Sequence, residues 1–258
     1  MSTKKKRVTG KLDQPDVVAP SGLPMHRSPP TFAAQTRGKG KRERTRAQLI
    51  DATAELIARG GADSATIMEI TTTAGLASGT FYNYFKDRSE VISETAVRII
   101  EQIAAQINSA GQSEGDIAVR LAAGTRRFID IACSHPTWAW AVLRALDYIP
   151  SLRPQIFRYI GNTVHVGHES GQFSDEDDFT LYILCSMLFG ALRSRLLGAT
   201  GSETGSRVAE MQLRVLGVDA VRAHDAASCP ISDVNFSWDS AILIKNDVSS
   251  EEAEILQH

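Results

Sequence analysis

The sequence predicts an all-α protein, with a compact N-terminal three-helix unit followed by a larger helical domain. Three observations carry this. Apolar residues recur at helical spacing in successive segments from about residue 46 to residue 216. Most of these segments are bounded by capping residues, glycine or proline. Between Thr66 and Phe85 two very short helical segments are separated by a single turn at Gly75.

Residues 1–42 read as a disordered basic arm. Pro15, Pro20, Pro24, Pro29 and Pro30 interrupt any helix, and the apolar residues there have no period. A native start at Met25 is an alternative that intact mass would decide. The arm ends in the basic run from Arg37 to Arg44, suited to DNA phosphates or a minor groove.

Residues 43–88 form the first folded unit. Its first helix spans about Arg46 to Arg59, with Thr45 and Gln48 as a capping box and Leu49, Thr53, Leu56 and Ile57 on one side. Gly60 and Gly61 end it. Thr66 and Glu69 make a second capping box, and Ile67, Ile70 and Ala74 give the next helix its apolar side. After Gly75 a short helix carries Ser78 to Tyr84. Phe81 and Phe85, with Leu49 and Ile70, are the expected core. So small a unit needs support from the helix that follows.

Residues 89–222 form the larger domain. Asp87 and Glu90 cap a long helix from Arg88 to about Ser109, with Val91, Ile92, Ala96, Ile99, Ile100, Ile103 and Ile107 in register. Further helices are expected over 114–134, from Pro136 to Asp147, and from Pro154 to Ser170. Ser174 and Asp177 cap an apolar helix from Asp175 to about Leu197, and a last helix covers Arg207 to Leu216. The surplus apolar surface on these two helices predicts a four-helix dimer interface, through Leu188, Gly190, Ala191, Val208, Met211 and Val215. Arg193 and Arg195 then need acidic partners from the facing chain. Residues 223–258 have no sustained period and read as a loose acidic tail.

Composition bounds the function. The chain has 258 residues and a net charge of −2, yet its head is basic and its tail acidic, which places a polyanion at the N-terminal end. Cys133, Cys185 and Cys229 are far apart and odd in number, as in a reducing cytoplasm. No secretory signal is evident, and no apolar run approaches a membrane span of ~20 residues. Phosphate-binding loops, dinucleotide fingerprints and Gly-x-Ser-x-Gly elbows are missing, so neither an enzyme nor a cofactor is expected.

A short helix bearing Ser, Thr, Tyr and Asn, set after a glycine turn, suits the major groove of duplex DNA. Ser78, Gly79, Thr80, Tyr82, Asn83 and Tyr84 are the candidates on it, with Thr66 at the start of the preceding helix. Arg44, Arg46, Lys86 and Arg88 are placed for phosphates.

Residues 44 to 92 resemble the DNA-binding domain of the TetR family of bacterial regulators. The resemblance rests on Gly61, Thr66-Ile67, Ile70, Ala74-Gly75-Leu76, Ser78-Gly79-Thr80-Phe81-Tyr82, Tyr84-Phe85 and Arg88. The sequence departs from the family pattern at Ala62, Thr71 and Ala77. The last removes the usual capping Ser, unless Ser78 takes over. The resemblance implies a homodimer on a pseudo-palindromic operator, and a larger domain for ligand binding and dimerisation. It also implies repression relieved by a small-molecule effector; a ligand-independent DNA-binding protein on the same fold is the alternative. Candidate effector residues are Ile103, Phe128, Trp138, Trp140, Phe157, His165 and Met187, with Tyr159 and Phe189 beside them. His165, His168 and Glu169 have the spacing of metal ligands, but a polar helix face is the plainer reading, and no metal is assigned.

Overall fold

The computed structural model describes residues 31–111, 115–174 and 177–231. Among them every regular element is helical. In chain order these are α1 (Phe32–Gln35), α2 (Lys41–Gly60), α3 (Ile67–Thr73), α4 (Ser78–Phe81), α5 (Arg88–Gly111) and α6 (Ile117–Ser134). Then come α7 (Pro136–Tyr148), α8 (Arg153–Glu169), α9 (Asp178–Leu196), α10 (Thr204–Val215) and α11 (Ala220–Ser228).

Two expectations about the N-terminal segment are corrected. The disordered arm does not reach residue 42; residues 1–30 lie outside the described residues, but α1 is a docked helix turn. Phe32 is buried and its ring stacks on Trp138 at 5.1 Å. The carboxylate of Asp51 accepts from the Phe32 and Ala33 amides at 2.8 and 2.9 Å, so a side chain of α2 caps α1. The first long helix begins at Lys41 after Gly40, not at Arg46, and Thr45 is buried inside it rather than capping it. Lys, Arg and Glu are good helix formers, and nothing between Gly40 and Gly60 stops the helix.

The core of the N-terminal unit is as expected. Leu49, Ile70, Phe81 and Phe85 are all at most 2% exposed. Gly75 turns the chain between α3 and α4 at φ 69°, in the left-handed region that other residues avoid. The Thr66–Glu69 capping box is formed. Asp87 accepts from the Glu90 amide at 2.8 Å at the start of α5.

The division at residues 88 and 89 is not a break in packing. One apolar cluster runs from Leu49, Ile70 and Phe81 through Ile92 and Ile99 to Phe128, Trp138, Leu146 and Leu192. α7 lies against α2 and joins the two parts. Arg144 of α7 donates to the Ile57 and Ala58 carbonyls at 2.9 and 2.8 Å, satisfying the C-terminal end of α2. A second cluster holds α6, α8, α9, α10 and α11 together around Leu121, Val164, Leu184, Leu213 and Leu216.

The acidic tail does not begin at residue 223. α11 is capped by Asp219 and buries Ala223, Ala226 and Ala227 against that second cluster. Short alanine side chains give a weak periodic signal, which is why the helix escapes a reading based on large apolar residues. Residues 232–258 lie outside the described residues. The expectation about apolar runs is also corrected, because α9 is long and apolar enough to cross a membrane by length and composition. Arg193 and Arg195 find partners within the chain: Arg193 pairs with Asp147 at 2.5 Å, and Arg195 donates to the Thr200 carbonyl at 3.3 Å.

Burial pushes the Asp51 carboxyl up to about 6, outweighing the two backbone donors and Arg98 that favour its charged form. The folded protein therefore binds a proton that the unfolded chain, near 3.8, does not. The resulting stability is full below the unfolded value and is lost as pH rises through about 6. Urea unfolding of the native protein and of Asp51→Asn should show a difference that grows in favour of the native protein from pH 7 to pH 5. A difference independent of pH would contradict this placement of Asp51.

Candidate nucleic-acid interface and effector cavity

α3 and α4 build the exposed surface of the N-terminal unit. α4 is a single turn whose inward side chain, Phe81, is fully buried. That leaves Ser78, Gly79 and Asn83 exposed, Thr80 half-buried and Tyr82 63% exposed. Tyr82 meets Phe81 edge to face, with ring centroids 5.6 Å apart, which steadies an outward phenol. Gly79 is open on its outer side, so no neighbour obstructs approach there. Tyr84 is half-buried and packs against the core cluster. Thr66 is exposed, with its hydroxyl bonded to Glu69 at 2.7 Å.

Ala77 occupies the N-cap of α4 without a side-chain hydrogen bond, and Ser78 does not replace it. The Ser78 hydroxyl instead lies 3.5 Å from that of Thr71. Missing caps of this kind cost about 1 kcal/mol. Sequence reasoning passed over Met68, which is 68% exposed on α3, and its neighbours Thr72 and Thr73, also exposed. The large exposed apolar residue at 68 is the signal that could have found them.

The four phosphate candidates divide. Arg44 and Lys86 are exposed. Arg46 and Arg88 are half-buried and engaged within the chain. Arg46 pairs with Glu94 of α5, donates to the Tyr84 carbonyl at 3.0 Å and lies over the Phe85 ring at 4.6 Å. Arg88 donates to the Ala62 carbonyl at 2.5 Å, pairs with Asp63 at 3.5 Å and lies over the Tyr148 ring at 5.0 Å. Guanidinium satisfies carbonyl, carboxylate and ring at once, so these arginines tie helices together. The exposed Arg37, Lys39, Lys41 and Arg42 supply further positive charge ahead of and along the first turns of α2.

A cavity of about 360 Å³ lies between α5, α6, α8 and α9. Ile100, Ala104 and Ile107 of α5 form one wall, and Leu121, Gly124 and Phe128 of α6 another. Ile156, Tyr159 and Ile160 of α8, with Cys185, Leu188 and Phe189 of α9, complete it. Burial raises the Cys185 thiol to about 12, so it stays protonated in this wall.

Of the effector candidates, Phe128 lines the cavity, as do Tyr159 and Phe189. The others lie outside its lining. Ile103 is buried on the side of α5 that faces the large core cluster. Trp138 is spent on Phe32, and Trp140 is half-buried with Arg144 over its ring at 5.2 Å. Phe157 stands outside the cavity lining, stacked on Phe189 at 6.3 Å. Met187 is half-buried outside the lining. His165 and His168 are exposed, and His165 pairs with Glu169 at 3.5 Å. Arg120 and Arg127 were missed, although charged residues seven apart on the apolar side of α6 are visible in the sequence.

On α9 and α10, Leu188 is corrected: it faces the cavity inside its own chain. Val208 is likewise buried in its own fold, and Ala191 is half-buried. Between Phe179 and Leu192 most sides of α9 are apolar, so its inward side cannot be read from period alone. Gly190 is exposed with open space over it, and Met211 and Val215 are 55% and 43% exposed. Phe179 and Tyr182 are also exposed on α9, as is Leu197 at its C-terminal cap.

Residues 49–95 match the family model for bacterial regulatory proteins of the tetR family. No curated protein sequence matches the chain. Among solved structures, RolR in complex with resorcinol is 28% identical over 75% of this chain and 98% of its own, with a TM-score of 0.60. The fatty acid degradation regulator FadR from Bacillus halodurans is 21% identical over 68% and 96%, with a TM-score of 0.54. FadR from Bacillus subtilis, in complex with stearoyl-CoA, is 19% identical over 67% and 97%, with a TM-score of 0.50. The last two show likeness of fold.

If the exposed cations meet phosphates, Arg44→Ala and Lys86→Ala should each lower the salt dependence of DNA binding by about one unit. Arg46→Ala and Arg88→Ala should instead lower the melting temperature. Measuring both quantities on all four variants checks the division, and a reversed pattern contradicts it.

Proposed function

We propose that this chain, which carries the helix-turn-helix domain and the fold of the tetR family of bacterial regulatory proteins, is a homodimeric cytoplasmic repressor. It binds a pseudo-palindromic operator through α3 and α4 and is released by a small molecule held between α5, α6, α8 and α9. One observation carries the reading. α5 begins at the DNA-binding unit, tied there by Arg46–Glu94, and two turns later its Ile100, Ala104 and Ile107 form a cavity wall. A ligand that favours one position of α5 thereby favours one placement of the recognition helix. RolR, similar over nearly its whole length, holds a small ligand, resorcinol. The cavity here sits at the lower end of the ~300–1,000 Å³ range of small-molecule sites, which suits a compact ligand better than an acyl-CoA.

Dimerisation is read from the outer face of α9 and α10. Phe179, Tyr182, Gly190, Met211 and Val215 leave an apolar surface there, and only 28% of the apolar stretch of α9 is buried. A second copy covering this face explains the apolarity of α9. Two recognition helices then meet half-sites about 34–36 Å apart, or a multiple of that.

The test is binding of operator and random duplexes by the native protein, Thr80→Ala and Tyr82→Ala, with light scattering on the native protein and Gly190→Trp. The variants on α4 should lose about 1–3 kcal/mol per contact against the operator and less against random DNA. Gly190→Trp meets no neighbour within the chain, so it should fold, become monomeric and lose operator binding. Equal losses on both duplexes, or a native monomer at micromolar concentration, would contradict the reading.

A further inference from the structure

Resting on the DNA-binding reading above, we propose that Met68 of α3 reads sequence beside the recognition turn, by packing against the C5-methyl of one thymine in each half-site. A single exposed apolar residue is ordinary on a protein surface. What sets Met68 apart is where α3 places it. Ile67, Ile70 and Ala74 share one side of α3, and that side packs on the large core cluster. Thr71 lies at the edge of that side. It is fully buried, and its hydroxyl is 3.5 Å from that of Ser78 at the start of α4. The seam between the two helices therefore runs along Thr71. Met68 comes next around the helix, about 60° past Thr71 on the side away from Ile70, and Thr72 follows at about 100°. Both are exposed, Met68 by 68%. Across the seam stand Ser78 and Gly79, also exposed, with open space over Gly79. Met68 thus continues the outer surface of the recognition turn onto α3.

The chemistry of the side chain narrows what it meets. A thioether donates no hydrogen bond and accepts one only weakly, so neither phosphates nor the polar edges of bases suit it. The apolar group that base pairs present in the major groove is the thymine C5-methyl. Three rotatable bonds and a polarisable sulfur let methionine follow a methyl group whose position shifts with the local shape of the duplex. The one acid of α3 is kept out of the way. The Glu69 carboxylate accepts from the Thr66 amide and hydroxyl at 3.1 and 2.7 Å. Glu69 itself lies about 160° around the helix from Thr71, turned from the seam. The hydroxyls and ring of α4 then contact polar edges and phosphates, and Met68 adds an apolar readout at a neighbouring base pair.

Selection from random duplexes with the full chain supplies the half-site, and replacing its thymines one at a time with deoxyuridine removes only the methyl. At one thymine the native protein should lose about fourfold in affinity for each half-site exchanged, the factor expected for one buried methyl. Met68→Ala should bind the thymine duplex more weakly by at least that factor, and should no longer distinguish thymine from deoxyuridine there. Met68→Leu should keep the distinction, as should Thr80→Ala and Tyr82→Ala. Met68 is exposed, so Met68→Ala should melt with the native protein, which separates lost affinity from lost folding. Three results would overturn the proposal and leave the DNA-binding reading in place: no thymine whose methyl is felt, a loss that survives Met68→Ala, or a loss abolished by Thr80→Ala or Tyr82→Ala instead. Selection that enriches no sequence would remove the DNA-binding reading, and the proposal with it.

Discussion

The fold depends on an apolar core that the DNA-binding unit cannot complete by itself. α2, α3 and α4 supply Leu49, Ile70, Phe81 and Phe85, but the cluster closes only with Ile92 and Ile99 of α5 and with α7. A unit of this size buries too little surface to be stable alone. The recognition turn is therefore held by the body that contains the cavity. Phe81 of α4 and Ile100 of the cavity wall belong to one cluster of close-packed side chains.

Polar contacts reinforce the same junction. Arg46 binds α2 to α5, Arg88 reaches the Ala62 carbonyl and the Tyr148 ring, and Arg144 closes the end of α2 from α7. α1 adds a strap, with Phe32 on Trp138 and its amides on Asp51. These contacts meet α2 near its start, its middle and its end. Arginine serves well here because one side chain can satisfy carbonyls and cover a ring together.

Much of this was legible in the sequence. Period, caps and Gly75 locate α3 to α10 to within a few residues, because each buries one apolar side and ends at a residue that stops helices. What escaped did so for physical reasons. Arg46 and Arg88 have the residue type and position of phosphate contacts, and only their partners, far along the chain, reveal them as ties. Trp138 looks like a ligand-site aromatic until α1 is known to stack on it. Leu188 and Gly190 sit two residues apart on an apolar helix, yet one faces the cavity and the other solvent. α11 is built from alanines, whose pattern is faint. Arg120 and Arg127 were visible as charges on an apolar stripe, but a stripe does not show whether it encloses space.

The shared core makes the DNA-binding unit and the cavity one cooperative body. Hydrogen exchange on the intact chain tests that most directly. Amides in the middle of α2, around Ile50 and Thr53, should open with the same free energy as those of α6 and α7, and destabilising the body should lower all of them together. Exchange of α2 to α4 at much lower free energy, unmoved by changes in α7, would show a separately unfolding unit and contradict the account.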